Sequence, residues 1–240
     1  MTRIAMWSGP RNISTAMMRS WGNRQDTVVC DEPLYAHYLL ETGLQHPGAE
    51  ETLAVHETDW RRVVAQLTGS LPAGKSVFYQ KHMAHHLLPH IELQWLDRLS
   101  NCLLIRQPRE MLTSLLEFLP LPSIEDTGLP QQAKIYDYIA ERTGSPPPVI
   151  GAADVLRAPR PMLAKICEAV DVPFDERMLT WDAGPRQTDG AWGKYWYTKV
   201  YKTTSFAPYR PKETEVPQHL KGVLNECEAI YSQLHAHRIT

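Results

Sequence analysis

The stretch "WSGPRNISTAMM", residues 7–18, joins a short apolar run to a segment with the apolar spacing of a helix. The loop between them contains Gly9 and Arg11, and the helix opens with Ser14 and Thr15. Many proteins bind phosphate with a strand, a polar loop and a helix in this order, because the N–H groups and the dipole of the helix start attract an anion. An ordinary hydroxyl cap after a tight turn explains the same residues, so the loop alone leaves both interpretations open.

Length and composition favour one globular domain over residues 1–240. The chain is 43% hydrophobic and 22% charged, and its net charge is only −2, so neither nucleic acid nor a membrane is an expected partner. The four cysteines are scattered without a Cys-x-x-Cys pair, which disfavours a zinc ribbon. We find neither a signal-peptide pattern nor a run of about 18 apolar residues and expect a cytoplasmic protein. A homo-oligomer is left open.

Short apolar runs alternate with helical patterns along most of the chain. This alternation predicts a three-layer α/β/α fold of the P-loop NTPase-like class, with a central parallel sheet of about five strands. Strands are predicted at residues 4–7, 27–31, 76–81, 102–106 and 149–151, and helices at residues 13–24, 58–68, 108–118, 131–142, 161–170 and 216–237. Residues 182–215 are rich in aromatic side chains without a clean period, and we expect an irregular cover or lid there.

Polar side chains follow the first four predicted strands. Arg11 lies beyond the first, Glu32 beyond the second, Lys81 and His82 at the third, and Arg106 at the fourth. Ligands of an open parallel sheet bind at the carboxyl ends of its strands. We therefore expect these side chains to share one edge of the sheet and one ligand.

The stretch "LLIRQPREMLTS", residues 103–114, repeats the strand-to-helix pattern. Arg106 ends the strand, Pro108 suits the first turn of a helix, and Ser114 follows about two turns later. An arginine and a hydroxyl placed in this way can bind a second phosphate. A solvated strand end and a helix-surface serine are the alternative that this stretch alone leaves open.

The two stretches together resemble motifs of the cytosolic-type sulfotransferases, which use 3′-phosphoadenosine-5′-phosphosulfate. The first loop of that family, Lys-Ser-Gly-Thr-Thr, binds the 5′-phosphosulfate. The positions that match it here, shortly after Gly9, are Arg11, Asn12, Ile13, Ser14 and Thr15. Since isoleucine stands where the family has glycine, we expect the loop to close differently or to contact the phosphate more weakly.

The second motif of the family, an arginine with a proline and a later serine, holds the 3′-phosphate. Arg106, Pro108 and Ser114 match it. Residues 149–179 resemble the late strand, acidic-leucine turn and helix of the family, so the similarity covers about residues 3–180. The family transfers sulfuryl without a metal, which explains why the Gly-Lys-Ser/Thr of ATP-binding loops is missing. The resemblance thus implies this donor, its product adenosine 3′,5′-bisphosphate, and no metal.

The residue that would accept the proton of the acceptor is less clearly marked. The family often has Lys-x-His after its third strand, whereas here His82 follows Lys81 directly and Met83 takes the histidine position. Other branches of the superfamily use a glutamate after the second strand, where this chain has Glu32. We prefer Glu32 slightly over His82, and His85 or His86 are further candidates. The histidines lack convincing spacing for a metal site.

The aromatic block over residues 189–206 stands where the family has a Gly-Trp-Lys segment that contacts the nucleotide. Gly190, Trp192 and Lys194 echo it loosely. These residues could contact adenine and phosphate, or they could form a packed cover over the sheet, and the sequence leaves both open.

The leading hypothesis is a sulfotransferase that modifies a hydroxyl or amine of a small-molecule acceptor. Glu32 or His82 would act as base, and Arg11 and Lys81 would stabilise charge on the transferring group and the departing phosphate. Arg106 and Ser114 would hold the 3′-phosphate. The alternatives are an ATP-dependent small-molecule kinase and a catalytically silent nucleotide-binding protein of the same fold.

Overall fold

A computed structural model describes residues 1–212 and 214–240, and a parallel sheet forms the centre of this part of the chain. Its strands are β1 (Thr2–Ser8), β2 (Thr27–Asp31), β3 (Val77–Met83), β4 (Ser100–Ile105) and β5 (Val149–Gly151). They lie in the order β2-β3-β1-β4-β5, and every neighbouring pair is parallel. Because β1 is central, the loop after it lies between the carboxyl ends of β3 and β4.

Helices connect the strands and cover both faces of the sheet. They are α1 (Ser14–Gly22), α2 (Tyr35–Thr42), α3 (Ala49–Val55), α4 (Trp60–Leu67), α5 (Pro108–Leu115), α6 (Leu129–Thr143), α7 (Ala152–Arg157), α8 (Pro159–Ala169), α9 (Gly193–Trp196) and α10 (Lys221–Ala236). None of the helices in the described ranges combines the length and apolar character needed to cross a membrane.

Alternation along β1 creates two separate core layers. Ile4 and Met6 point to the face covered by α1, α2 and α8, whereas Ala5 and Trp7 point to the face covered by α4, α6 and α10. All four side chains are fully buried, as expected for a strand enclosed on both faces. The predicted three-layer α/β/α fold with a five-stranded parallel sheet is therefore confirmed.

The element boundaries differ from the predicted ones in two ways. β3 continues to Met83, two residues beyond its predicted end, because it pairs with β1 as far as Ser8. The helices α2, α3, α7 and α9 have no counterpart in the prediction. Each of them has eight residues or fewer, too short for an apolar period to stand out, and packing on the sheet supports them instead.

Candidate active site

Charged side chains form a row along the carboxyl edge of the sheet. The row begins with Glu32 after β2 and Lys81 in β3, passes the loop after β1, and ends with Arg106 after β4. Parallel neighbours lie about 4.8 Å apart, so the strand of Lys81 and the strand of Arg106 are separated by about 10 Å. Lys81 and Arg106 are thus about two strand spacings apart, and Glu32, which follows the strand beyond that of Lys81, lies one spacing further away.

The loop after β1 leads into a helix start that is open to an anion. Helix α1 begins without a side-chain cap, and no acidic residue lies in its first turn. Its first intrahelical hydrogen bond runs from Met17 N–H to the Ile13 carbonyl, which leaves the earlier N–H groups, including those of Ser14 and Thr15, without an intrahelical partner. Ser14 and Thr15 are themselves buried at this end of the helix.

The loop closes at Arg11, whose φ of 55° lies in the left-handed region. Ile13, which replaces the glycine of the family, has an ordinary φ of −90°. The difference in closure that the isoleucine predicts therefore falls two residues earlier. The Asn12 side chain fixes the turn, since it donates to the Leu104 carbonyl at 2.9 Å and accepts from the Ile13 N–H at 2.8 Å.

Gly9 fills a packing role in this loop. A Cβ at Gly9 would overlap the carbonyl oxygen of Thr127, and a Cβ at Gly128 would lie 3.4 Å from the Gly9 Cα. The two glycines let the segment before α6 approach the loop after β1. Gly9 thus shapes the predicted anion site through its packing against Thr127.

Arg11, Arg106 and Ser114 form one cluster. The Arg11 Nε donates to the Ser114 hydroxyl at 3.0 Å, and the Arg106 guanidinium donates to the Arg11 carbonyl. Glu110 accepts from the Arg106 Nε at 3.2 Å and from the Tyr209 hydroxyl at 2.7 Å. The Arg11 guanidinium also lies 4.6 Å above the centre of the Phe118 ring. The structure therefore brings together residues that the sequence assigned to two different phosphates.

At the opposite end of the row, Lys81 is fully buried with two carboxylates. Its Nζ donates to Asp31 Oδ1 at 2.9 Å, to the Tyr197 hydroxyl at 2.7 Å and to Glu32 Oε1. Burial alone would lower the pKa of Lys81, but the Asp31 and Glu32 carboxylates more than offset this and the pKa is raised. An ammonium group has three donors, and all three are used inside the protein.

Glu32 occupies a strained and electrostatically unusual position. Its φ of 41° is left-handed, although it is neither glycine nor asparagine. Burial raises the pKa of Glu32, and the Asp31 charge raises it further, against the opposing effect of Lys81. Two carboxylates share one ammonium here, so a proton on Glu32 costs less than it would in water.

The histidines divide between the two faces of the sheet. Because β3 continues to Met83, His82 points away from Lys81 and stacks on Trp7 with ring centres 4.1 Å apart. It is 1% exposed, and burial lowers its pKa to about 3. Because β3 does not end before His82, no break in the strand turns this side chain toward Lys81.

His85 and His86 follow β3 and lie near the loop after β1. The backbone of His85 is 3.3 Å from the position of a Cβ at Gly128, beside Gly9. Burial lowers the pKa of His85 to about 4 and that of His86 well below its usual value. Their Nδ1 atoms are buried without a hydrogen-bond partner in the described ranges. Throughout residues 1–212 and 214–240, no group of three or more His, Cys, Asp or Glu side chains is arranged to hold a metal ion.

The aromatic segment forms a packed cover attached to the acidic end of the row. Trp192 and Tyr197 join the core layer beneath α1 and α8, and Trp192 donates to the Tyr197 hydroxyl at 3.1 Å. A buried pair between Arg19 and Asp189, with contacts of 2.6 and 2.8 Å, attaches the start of this segment to α1. Of the two interpretations of Trp192, the buried contacts support packing, and the exposed Lys194 pairs with Glu51.

The sequence alone assigns no role to two residues of this network, Tyr197 and Asp31. Asp31 accepts from Lys81, from the Tyr197 hydroxyl at 2.9 Å and from the Gly190 N–H at 3.1 Å. A lysine at the end of a buried strand is itself a signal, because a buried ammonium must have partners. Asp31 could have been found in this way, as it directly precedes Glu32, whereas Tyr197 is 116 positions away from Lys81.

The fold and this row define an α/β protein with a polar loop and an uncapped helix start after the central strand. The chain belongs to the sulfotransferase domain family, which it matches over residues 2–236. The resemblance found in the sequence is thereby confirmed, and with it a general association with sulfuryl transfer.

Two relatives and one solved structure illustrate this similarity. Branched-chain-amino-acid aminotransferase-like proteins 1 and 2 of Arabidopsis thaliana are 34% and 32% identical to this chain over 98% of its residues. The chain spans only 42% and 41% of their respective lengths. The sulfotransferase domain of the Synechococcus PCC 7002 olefin synthase has a TM-score of 0.63, covers 97% of this chain and 94% of that domain, and is 14% identical. That last likeness shows the fold alone.

The lowered pKa values of His82, His85 and His86 predict destabilisation in acid. The unfolded chain takes up protons near pH 6.5 while the folded chain does not, so stability present above that pH is lost as the pH falls. Each histidine should cost about 1.4 kcal/mol per pH unit below 6.5. Urea unfolding at pH 7 and pH 5.5 measures this, and His82→Phe, which keeps a ring on Trp7, should remove the contribution of one histidine, about 1 kcal/mol between these pH values. An unfolding free energy that stays constant between these pH values would contradict the assignment.

Proposed function

We propose that this chain transfers a sulfuryl group from 3′-phosphoadenosine-5′-phosphosulfate to a hydroxyl or amine of a small-molecule acceptor. The single observation that carries the proposal is the cluster of Arg11, Arg106 and Ser114 beside the uncapped start of α1. Two guanidinium groups, a hydroxyl and free helix N–H groups fit a ligand with two phosphate-type ends. When bound, this donor supplies the sulfuryl group, and adenosine 3′,5′-bisphosphate is the other product.

The residues of the phosphate cluster would bind and orient the donor. The open N–H groups before Met17, with the Ser14 and Thr15 hydroxyls, would hold the 5′ end at the helix start. Arg106 and Ser114 would hold the 3′-phosphate. Arg11 lies between these two groups because its side chain reaches Ser114 while its backbone belongs to the loop, so its charge would serve both ends of the donor.

Glu32 is the residue best placed to accept the proton of the acceptor. One of its oxygens, Oε1, is held by Lys81, and no hydrogen bond from the described residues engages Oε2. The raised pKa of Glu32 makes its carboxylate a stronger base than an exposed glutamate. His82 faces the other side of the sheet, with a pKa of about 3, which makes it a weaker candidate.

The contacts of Lys81 favour a different role from the charge stabilisation expected from the sequence. All three Lys81 donors are taken by Asp31, Glu32 and Tyr197, so a direct bond to the transferring group would need one of these to be released. In the arrangement described, Lys81 orients Glu32, and the positive charge toward the donor comes from Arg11 and Arg106.

The alternatives remain a small-molecule kinase and a silent nucleotide-binding protein. Titration calorimetry with adenosine 3′,5′-bisphosphate and with ATP plus magnesium separates the kinase from the other two. Turnover of the phosphosulfate donor with a panel of hydroxyl and amine acceptors, followed by release of the bisphosphate, separates the enzyme from the silent protein. Preference for ATP with magnesium would overturn the proposal.

We predict that Arg106→Ala weakens adenosine 3′,5′-bisphosphate by about tenfold or more and AMP very little. A charge-assisted contact contributes about 1.5–3 kcal/mol, and only the bisphosphate has a 3′-phosphate. The control is Arg109→Ala, because Arg109 lies three residues further along in α5, its side chain is 43% exposed, and it pairs with Glu228 at 3.9 Å. Calorimetry on the three proteins measures the effect, and equal losses for both ligands would remove Arg106 from this role.

We predict that Glu32→Gln keeps donor binding but lowers turnover by ~10²–10⁴-fold, the usual contribution of a general base. In the unmodified protein, the rate should rise with pH on an acid limb above the usual glutamate value of about 4.3, since the pKa of Glu32 is raised. Glu228→Gln, on the outer helix α10, is the matched control. Turnover close to normal in Glu32→Gln would exclude Glu32 and make His85 the next residue to test.

A further inference from the structure

The side chain of Tyr197 closes the hydrogen-bond network around the acidic end of the row. We propose that Tyr197 is a positioning residue for Glu32, and that it acts through Lys81 and Asp31; this rests on the proposed function. Tyr197 lies in the cover segment, 4% exposed, and reaches the carboxyl edge from outside the sheet.

The Tyr197 hydroxyl has a single consistent set of partners. It accepts from Lys81 Nζ at 2.7 Å and from Trp192 Nε1 at 3.1 Å. Both lone pairs of its oxygen are then used, so the hydroxyl must donate its own proton to a neighbouring carboxylate. Both Asp31 oxygens lie 2.9 Å away and Glu32 Oε1 lies 3.2 Å away, which makes Asp31 the main acceptor.

The network engages the two carboxylates to different extents. Asp31 receives donors from Lys81, Tyr197 and the Gly190 N–H, and is therefore fully engaged. Among the described residues, Glu32 accepts hydrogen bonds through Oε1 only. Its carboxylate is therefore oriented, while Oε2 can still accept a proton. A phenylalanine at position 197 would neither accept from Lys81 nor donate to Asp31, and Lys81 would be free to turn away from Glu32.

The attachment of the cover segment makes this contact rigid. The Arg19–Asp189 ion pair, joined by two hydrogen bonds, is buried, with side chains 3% and 5% exposed. Together with the contact from the adjacent Gly190 N–H to Asp31, it anchors the start of the segment beside the network. Tyr197 is thus held at a defined distance from the carboxylates, as a positioning role requires.

The charged and titratable groups that face Glu32 come from four elements of the structure. They are Asp31 at the end of β2, Lys81 in β3, Tyr35 in α2 and Tyr197 after α9. Against the effect of burial, the Lys81 charge, which Tyr197 helps to hold beside Glu32, is the main interaction that lowers the pKa of Glu32, and the longer Tyr197 contact to Oε1 acts in the same direction. Loss of the hydroxyl should therefore raise the pKa of Glu32.

The test compares Tyr197→Phe with Tyr195→Phe, the same substitution at a 44% exposed position of the same segment. Tyr197→Phe should lower kcat by about tenfold, leave adenosine 3′,5′-bisphosphate affinity unchanged, and move the acid limb of the rate profile up by ~0.5–1 pH unit, the equivalent of one hydrogen bond. Tyr195→Phe should change none of these. A purely structural Tyr197 would lower the melting temperature without moving the acid limb, and that result would overturn the proposal.

A second readout does not depend on activity. The ¹³C carboxyl resonance of Glu32, assigned by its loss in Glu32→Gln, should titrate at higher pH in Tyr197→Phe than in the unmodified protein. If the unmodified protein transfers no sulfuryl group, the proposed function fails while this titration still tests Tyr197. Should Tyr197→Phe not fold, 3-fluorotyrosine placed at position 197 keeps the hydroxyl as a stronger donor and should shift the Glu32 titration to lower pH. An unmoved titration in the folded variant would refute the positioning role.

Discussion

A buried ammonium group determines the arrangement of the acidic end of this protein. Lys81 is 1% exposed, two residues before the end of a strand that lies between two others, and an unpaired charge there would cost several kcal/mol. Asp31, Glu32 and Tyr197 provide the three acceptors that the ammonium needs. The left-handed turn at Glu32 and the close docking of the cover segment both follow from this requirement, because each brings one acceptor to Lys81.

The parts of the fold that could be predicted are those with local signals. Apolar strands separated by helical patterns led to the parallel sheet, and Arg106 with Ser114 follows from spacing along a single strand and helix. The conformation of the loop after β1 could be predicted only in part. The replacement of glycine at Ile13 indicated a different closure, yet the left-handed residue is Arg11, since the positions within a loop depend on what packs against it, here Thr127 and Gly128.

The parts that could not be predicted depend on register and on distant contacts. Whether His82 reaches the site is decided by where β3 ends, and that end is set by the pairing of Met83 with Ser8. Side chains alternate along a strand, so two additional strand residues keep His82 on the face opposite Lys81. The contact of Tyr197 with Lys81 has no local pattern at all, because the segment that carries it has no regular period and is positioned by Arg19 and Asp31.

The count of charges explains why Glu32, rather than Asp31, would carry the chemistry. Asp31 and Glu32 share one ammonium, so the cluster has an excess negative charge when both carboxyl groups are ionised. Three donors stabilise the charge of Asp31, whereas hydrogen bonding fixes only one oxygen of Glu32. The excess therefore falls on Glu32, whose pKa is raised. The guanidinium groups of Arg11 and Arg106 lie toward the other end of the same edge, so the candidate proton acceptor and the candidate anion site carry opposite charges. In the proposed function, an acceptor between them would meet Glu32 on one side and the sulfuryl donor on the other, as direct transfer requires.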